Sequence, residues 1–379
     1  MEPRTYLALL SLSAAYFTLG VGSLSVVALV QPMAPDLHTS VAATANLLTA
    51  FALTFALSAP LAQLLLGHLP RRTLLLGGLL VMSASATLGA VFDDYWAVLA
   101  TRVAMGAGAA VVGPMCSAIG AGLVRTDQQG RALALVFSGM TLATVLGVPV
   151  CAWLGGVLGW RAVFLIVAAV ALAAAMAIFV LVADRARGTR PNLVALLQVV
   201  ARRRSGLSVA TTLLQMASQF ATYALIAPYL TDRTGATAAW VVAALFAFGV
   251  GGILGNLLAG RLADRIGADR TVGWSLGGVA ASYALLIIAP ASIWAALPLL
   301  VLWAVMGILF QAPQQKRLVQ IDPGARSLLL ASNASALYLG MSAGSLLAGV
   351  AHLAWGAGAM PVVSLLLVGA AALTFAQSR

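Results

Sequence analysis

From end to end the chain is divided into apolar runs of about twenty residues separated by short polar intervals, and that spacing leaves few folds open. A hydrocarbon layer about 30 Å thick needs roughly 20 helical residues at 1.5 Å each, so runs of this length with few charges read as membrane-spanning helices. Twelve can be marked, at residues 6–30, 41–67, 73–92, 96–122, 132–158, 161–183, 207–230, 238–260, 271–289, 293–313, 327–350 and 358–377. They use nearly all of the 379 residues, and no soluble domain fits in what remains. The first run is too long for a secretory leader and lacks an A-x-A cleavage pattern, so it reads as a permanent helix. Composition agrees. Apolar residues make up 62%, charged residues 8%, and mean hydropathy is +1.01, where soluble proteins carry roughly a quarter charged residues. The expected class is an all-α integral membrane protein with twelve transmembrane helices.

A net charge of +11 would suit a nucleic-acid binder, but its distribution argues otherwise. With the N-terminus in the cytoplasm, all 21 cations except Arg102, Arg161 and Arg233 fall on the inner segments. The positive-inside rule then puts both termini in the cytoplasm of a bacterial inner membrane. The basic excess reads as topology, and no nucleic-acid partner is expected.

The longest polar interruption, DRARGTRPN at 184–192 followed by ARRRSG at 201–206, falls at the midpoint. The expected organisation is a six-helix bundle at 1–183, a basic cytoplasmic linker at 184–206 and a second six-helix bundle at 207–379. The halves echo each other. QLLLGHLPRRTL (63–74) parallels GRLADRIGADRT (260–271), and RVAMG (102–106) parallels WAVMG (303–307). Runs 5 and 11 each carry LG, a later glycine and then a tryptophan. Such duplication implies two pseudo-symmetric bundles with substrate sites near mid-membrane. Small residues recur at every fourth position in runs 2, 5, 8 and 11, as at Gly147, Cys151 and Gly155 or Gly251 and Gly255. In lipid, where packing drives association, such stripes let helices approach closely.

Several chemistries lack their residues. His38, His68 and His352 are scattered with no metal-ligand spacing, so no metal is expected. No phosphate-binding loop of the Walker type occurs, GAGAA at 106–110 follows no strand, and no catalytic constellation is present. Neither a cofactor, an ATP-driven pump nor an enzyme is expected. Cys116 and Cys151 lie inside runs 4 and 5 as small apolar residues, with a disulfide between them left open.

Four stretches together resemble the major facilitator superfamily, and within it the twelve-helix drug:proton antiporters of the arabinose-efflux-permease-like branch. GRLADRIG (260–267) matches a cytoplasmic loop signature, and RVAMGAGAA (102–110) a fourth-helix signature. GVPVCAWLGGVLGWRAVF (147–164) resembles the antiporter signature with its GWR turn, and QPMAPDL (31–37) the close of the first helix. The resemblance implies two bundles around a cavity, alternating access, a monomer, and contacts between halves through helices 2, 5, 8 and 11. It implies packing roles for Gly147, Pro149, Gly155, Gly251 and Gly255. It also implies a conformational latch involving Gly260, Asp264, Arg265 and Gly267. In the first half only Arg71 and Arg72 of that latch persist, because Gly67 stands at the acidic position, His68 at the basic one and Pro70 at the glycine.

Arg102 lies about 10 Å along a helix that starts near Tyr95, too deep to ignore. It either snorkels to the outer surface or faces a cavity where something answers its charge. Asp36 follows the Pro32/Pro35 pair taken to end run 1 on the same side, and the resembled family often couples an acid of helix 1 to this arginine. A switchable Asp36–Arg102 pair, with Asp36 exchanging the proton, is the expectation; a helix-terminating Asp36 is the rival.

Candidate substrate contacts are Asn46, Phe51, Gln215, Gln219, Tyr223, Phe246, Trp303, Met306, Gln311, Asn333 and Tyr338, with interhelical hydrogen bonding the rival role for each amide. The repeat sets Trp303 where the first half has Arg102, so one wall is charged and the other aromatic, which suits amphipathic cargo. The expected function is export of small organic molecules, drugs, sugars or related metabolites, by proton antiport. An uncoupled or metabolite-specific facilitator is the alternative within transport, and a non-transporting sensor or lipid-handling protein the alternative outside it.

Overall fold

Apolar runs with so few charges bury their backbone polar groups by becoming helices, since lipid offers no partner for a free N–H or C=O. A computed structural model describes residues 3–125, 128–184, 186, 193–289 and 291–379, and every element among them is a helix. Residues 185 and 187–192 of the expected linker lie outside the described residues, as do Glu2 and Asp127.

The first half runs α1 (Pro3–Asp36), α2 (Val41–Leu66), α3 (Arg71–Val91), α4 (Tyr95–Gly122), α5 (Gln129–Leu142), α6 (Val148–Leu158) and α7 (Trp160–Leu181). Within the expected linker, α8 (Leu193–Ala201) forms and α9 (Arg203–Tyr223) begins. The second half continues with α10 (Ile226–Thr234), α11 (Ala238–Arg265), α12 (Ala268–Ile288), α13 (Ile293–Leu309), α14 (Gln311–Ile321), α15 (Arg326–Trp355) and α16 (Met360–Gln377). The chain divides into two compact units, Met1–Thr39 with Ala50–Pro191, and Ser40–Thr49 with Asn192–Arg379, so the first turns of α2 belong to the second unit.

In the first unit α1 is central, packing on α4, α5, α6 and α7, while α3 packs on α4 and α7. Leu9, Leu12, Leu29 and Met33 of α1 are fully buried. The small-residue stripe of run 5 faces α1: a Cβ on Gly139, Gly147 or Gly155 would fall 1.9 Å from Ser13 O, 2.5 Å from Val21 or 2.3 Å from Leu29. In the second unit α9 is central, against α15 and α16, and α11 packs on α13. Gly251 and Gly255 meet the carbonyls of Val301 and Val305, and Gly340 and Gly344 those of Leu213 and Ala217. These stripes are therefore occupied by helices of their own unit.

Eleven helical stretches among the described residues are long and apolar enough to cross a membrane. The expected seventh span is not among them, since it is split into α9 and α10 and α9 is rich in Ser, Thr and Gln. That polarity is buried: Ser208, Thr211, Thr212, Gln215, Ser218 and Thr222 are all fully enclosed. Two further boundaries and one internal turn differ from expectation. Helix α1 continues through Pro32 and Pro35 to Asp36, each proline removing one hydrogen bond to the carbonyl four residues back. The tenth span continues past residue 313 as α14. Run 5 contains a π-helical turn at Ala143–Gly147, immediately before buried Pro149, which cannot donate to the carbonyl four residues back. Both cysteines are buried free thiols.

Candidate functional site

In the first unit the site is built on Arg102, which is 1% exposed. Its guanidinium donates from Nη1 to Gly22 O at 2.8 Å and Met105 Sδ at 3.1 Å, and from Nη2 to Ser23 O at 3.3 Å. It also stands 4.9 Å above the Phe51 ring. A charge at such depth costs about 2.5–3.5 kcal/mol or more, and carbonyl lone pairs and an aromatic face are what offset it here. A helical carbonyl has a second lone pair, so α1 gives these contacts without losing its own hydrogen bonds. Gly106 permits the geometry, for a Cβ there would lie 2.5 Å from Phe51 O. Snorkelling is excluded by this enclosure.

The expected Asp36–Arg102 pair is not formed. Because α1 runs on through its prolines, Asp36 lies about four turns beyond Gly22 and Ser23, roughly 20 Å along the helix, which no arginine stem spans. Asp36 Oδ2 instead accepts from Trp160 Nε1 at 2.9 Å and from Arg161 Nη1 at 2.8 Å. Arg161 Nη2 also donates to Asp93 at 2.6 Å, and its guanidinium stacks 4.3 Å from the Trp160 ring. Asp94 next door caps α4 by accepting from Ala97 N–H. Gly159, at φ +84°, makes the sharp turn that brings Trp160 and Arg161 back to the end of α1. Three helix ends are thereby joined through one half-exposed arginine.

In the second unit Trp303 is fully buried. Phe248 lies 5.0 Å, Tyr283 5.2 Å and Tyr223 6.2 Å from it between ring centroids, and Tyr223 stacks on Phe248 at 4.7 Å. Gln219 packs beside the cluster on Gly307, where a Cβ would come 3.0 Å from its Oε1, and accepts from Gln215 Nε2 at 3.3 Å. Gln215 Oε1 and Gln314 Oε1 are buried without a hydrogen-bond partner among the described residues. An unsatisfied buried acceptor costs about 1–3 kcal/mol, so these two oxygens are unanswered polar atoms of this unit.

The remaining sequence candidates separate into distinct roles. Phe246 is 47% exposed and takes no part in the aromatic cluster; Phe248, two residues on and about 200° round the helix, occupies that place. Met306 turns to α12, filling the space over Gly278. Asn333 Oδ1 accepts from Thr212 Oγ1 at 2.7 Å, and Gln311 Nε2 contacts Met216 Sδ at 3.3 Å, so these amides join helices. Asn46 and Tyr338 are half-buried, on α2 and α15.

At the loop signature, Asp264 pairs with Lys316 at 2.6 Å, while Arg265 and Gly260 are exposed and Gly267 takes φ +90°. Beside it Arg317 pairs with Asp269 at 2.6 Å and donates to Ser208 and Ser378. In the first unit Arg72 donates to Phe179 O and lies 5.0 Å from the Phe179 ring, and the Arg71 N–H donates to Ala186 O. No group of His, Cys, Asp and Glu among the described residues could hold a metal.

The sequence model described as Major Facilitator Superfamily matches residues 10–207. The inner membrane transport protein YdhP of Escherichia coli K12 is 30% identical over 366 residues, covering 96% of this chain and 94% of that protein. A chloramphenicol resistance protein of Streptomyces lividans is 36% identical over 258 residues, 67% of this chain and 66% of its own. Among solved structures, an inward-facing, unoccupied bacterial homolog of the human lysosomal transporter Spinster aligns with a TM-score of 0.78 at 16% identity, over 100% of this chain and 98% of that one, a likeness of fold alone.

Proposed function

The chain belongs to the Major Facilitator Superfamily and is a multi-pass inner-membrane transporter, not an enzyme; from that premise we propose that it exports small organic molecules in exchange for protons. The observation that carries the reading is Arg102: a guanidinium kept fully enclosed in α4 and answered by carbonyls of α1. Intramembrane ionisable groups are expensive and are retained for use. The aromatic cluster and unpartnered amide oxygens of the second unit supply the matching features of a binding wall for amphipathic cargo. The resistance relative makes amphenicol-type compounds the first to try.

The two termini and the Arg-rich loops lie in the cytoplasm on this reading, and the working unit is a monomer. Asp36 remains the proposed proton-exchanging carboxylate, with Arg161 as its cationic partner in place of Arg102. Protonation would release Arg161 from α1 while leaving it on Asp93, loosening the joint between helix ends. A facilitator without coupling is favoured by one observation: the acids among the described residues lie at helix ends and loops, none in mid-span.

The test is accumulation of radiolabelled drugs and sugars in inverted membrane vesicles energised to an acid interior. Uptake that collapses with a protonophore supports antiport. Uptake that equilibrates but never concentrates, with or without the gradient, supports the facilitator.

A further inference from the structure

The two loop signatures differ in more than charge. The loop repeat aligns Gly67 with Asp264, and the fourth-helix repeat aligns Met115 with Lys316. In the second unit that pair of positions is closed by the Asp264–Lys316 ion pair, with Lys316 Nζ also reaching Ala263 O at 3.3 Å. In the first unit the same positions border an open groove of about 210 Å³ between α2, α3 and α4. The groove exists because its lining is small: Ala59, Ala62, Gly67, Ala110, Pro114 and Ala118 leave space that a lysine and an aspartate would otherwise fill.

Two polar side chains line the groove, Gln63 and Arg71, and no carboxylate does. The Arg71 guanidinium makes no hydrogen bond or ion pair to a described residue, since only its backbone N–H is engaged. Arg72 is turned away onto Phe179. Leu61, Leu65 and Leu66, on the same end of α2, are exposed. Away from Gln63 and Arg71 the lining is apolar, and about 210 Å³ is room enough for a stretch of hydrocarbon chain. A cation at the mouth of an apolar slot between spanning helices is the arrangement that recognises an anionic lipid headgroup.

We propose that this groove binds one anionic glycerophospholipid, with its phosphate on Arg71 and an acyl chain against Ala62, Ala110 and Ala118. The lipid takes the place that the Asp264–Lys316 pair fills in the other half, and its binding does not depend on what the transporter carries.

Native mass spectrometry of the full-length protein, delipidated and then titrated with dioleoyl phosphatidylglycerol or dioleoyl phosphatidylcholine, reads the site directly. The expected result is one retained phosphatidylglycerol in clear preference to phosphatidylcholine. Arg71→Gln should weaken that retention about fivefold, the worth of one basic contact near a membrane surface. Ala118→Leu, which fills the slot without touching charge, should remove it; Ala62→Ile does the same from α2 if that variant fails to fold. Retention unchanged in the filled variants would place the lipid elsewhere on the basic face and overturn the proposal. So would equal retention of the two lipids, or displacement of phosphatidylglycerol by millimolar glycerol phosphate, which would make this a site for free phosphate.

Discussion

Gly106 in the first half admits the backbone of α2 and sets Phe51 under a buried guanidinium, whereas the matched Gly307 in the second half admits the amide of Gln219 one turn from a buried indole. The motif keeps the close approach and changes what approaches. Arg102 is answered by carbonyls of the first helix of its half, and Trp303 by a ring of the first helix of its own, Tyr223. The halves thus share a scaffold rule while the first offers donors fixed on a charge and the second offers faces and acceptors. The rims diverge in the same way, with an ion pair in one half and an apolar slot in the other. The two halves keep the close helix approach at matched glycines and differ in the side chains around it.

The largest effect that would break or sharpen this contrast lies at the glycines. Gly106→Ala drives a methyl to 2.5 Å from a backbone oxygen, which cannot yield, and overpacking of this kind costs about 1–3 kcal/mol. Gly307→Ala meets the end of a flexible amide at 3.0 Å and should be milder. Melting temperatures in detergent should therefore fall clearly for the first and slightly for the second; the reverse order would contradict the packing described. Next comes Arg102→Leu, expected to lower transport at least tenfold, about 1.4 kcal/mol, with little loss of thermal stability, because replacing a buried charge by an apolar side chain is often neutral or stabilising. Arg102→Lys should not rescue it, since an ammonium lacks the planar fork that reaches two carbonyls and stacks on Phe51. Asp36→Asn should change transport only a few-fold but flatten its response to an imposed pH gradient; an unchanged gradient response would remove Asp36 from the proton path. Smallest is Lys316→Met, which breaks a pair exposed by 41% and 74% and should cost about 0–1 kcal/mol, less in high salt.

How far the sequence could be read depended on whether a residue's partners lay nearby or across the fold. Twelve spans were marked from apolar length, and eleven of them are long and apolar enough among the described residues. Helix α9 is less apolar because it carries Ser, Thr and Gln, and what lets its hydroxyls lie buried is distant in sequence: Ser218, Thr211 and Thr212 meet Ser364, Thr374, Asn333 and Gln314, more than a hundred residues away. Arg102 stood out as a lone cation in an apolar run, but its acceptors are main-chain atoms, which carry no sequence signal. Asp36 was legible as the acid closing α1, and its true partner was already marked as one of three cations off the basic side; what was missing was that α1 carries Asp36 past its prolines. Phe246 and Phe248 could not be told apart because a helix apolar all round has no periodicity to assign a face. The aromatic cluster was visible only in part, with Trp303 and Tyr223 seen and Phe248 and Tyr283 not.

The most direct measurement is internal pH in proteoliposomes of the purified protein as candidate cargo is added to the outside. Export in exchange for protons requires that one compound drives a proton movement, that the movement reverses with the compound's gradient, and that Arg102→Leu abolishes both fluxes together. Downhill flux of the compound with internal pH constant, or a proton signal undiminished in Arg102→Leu, would contradict it.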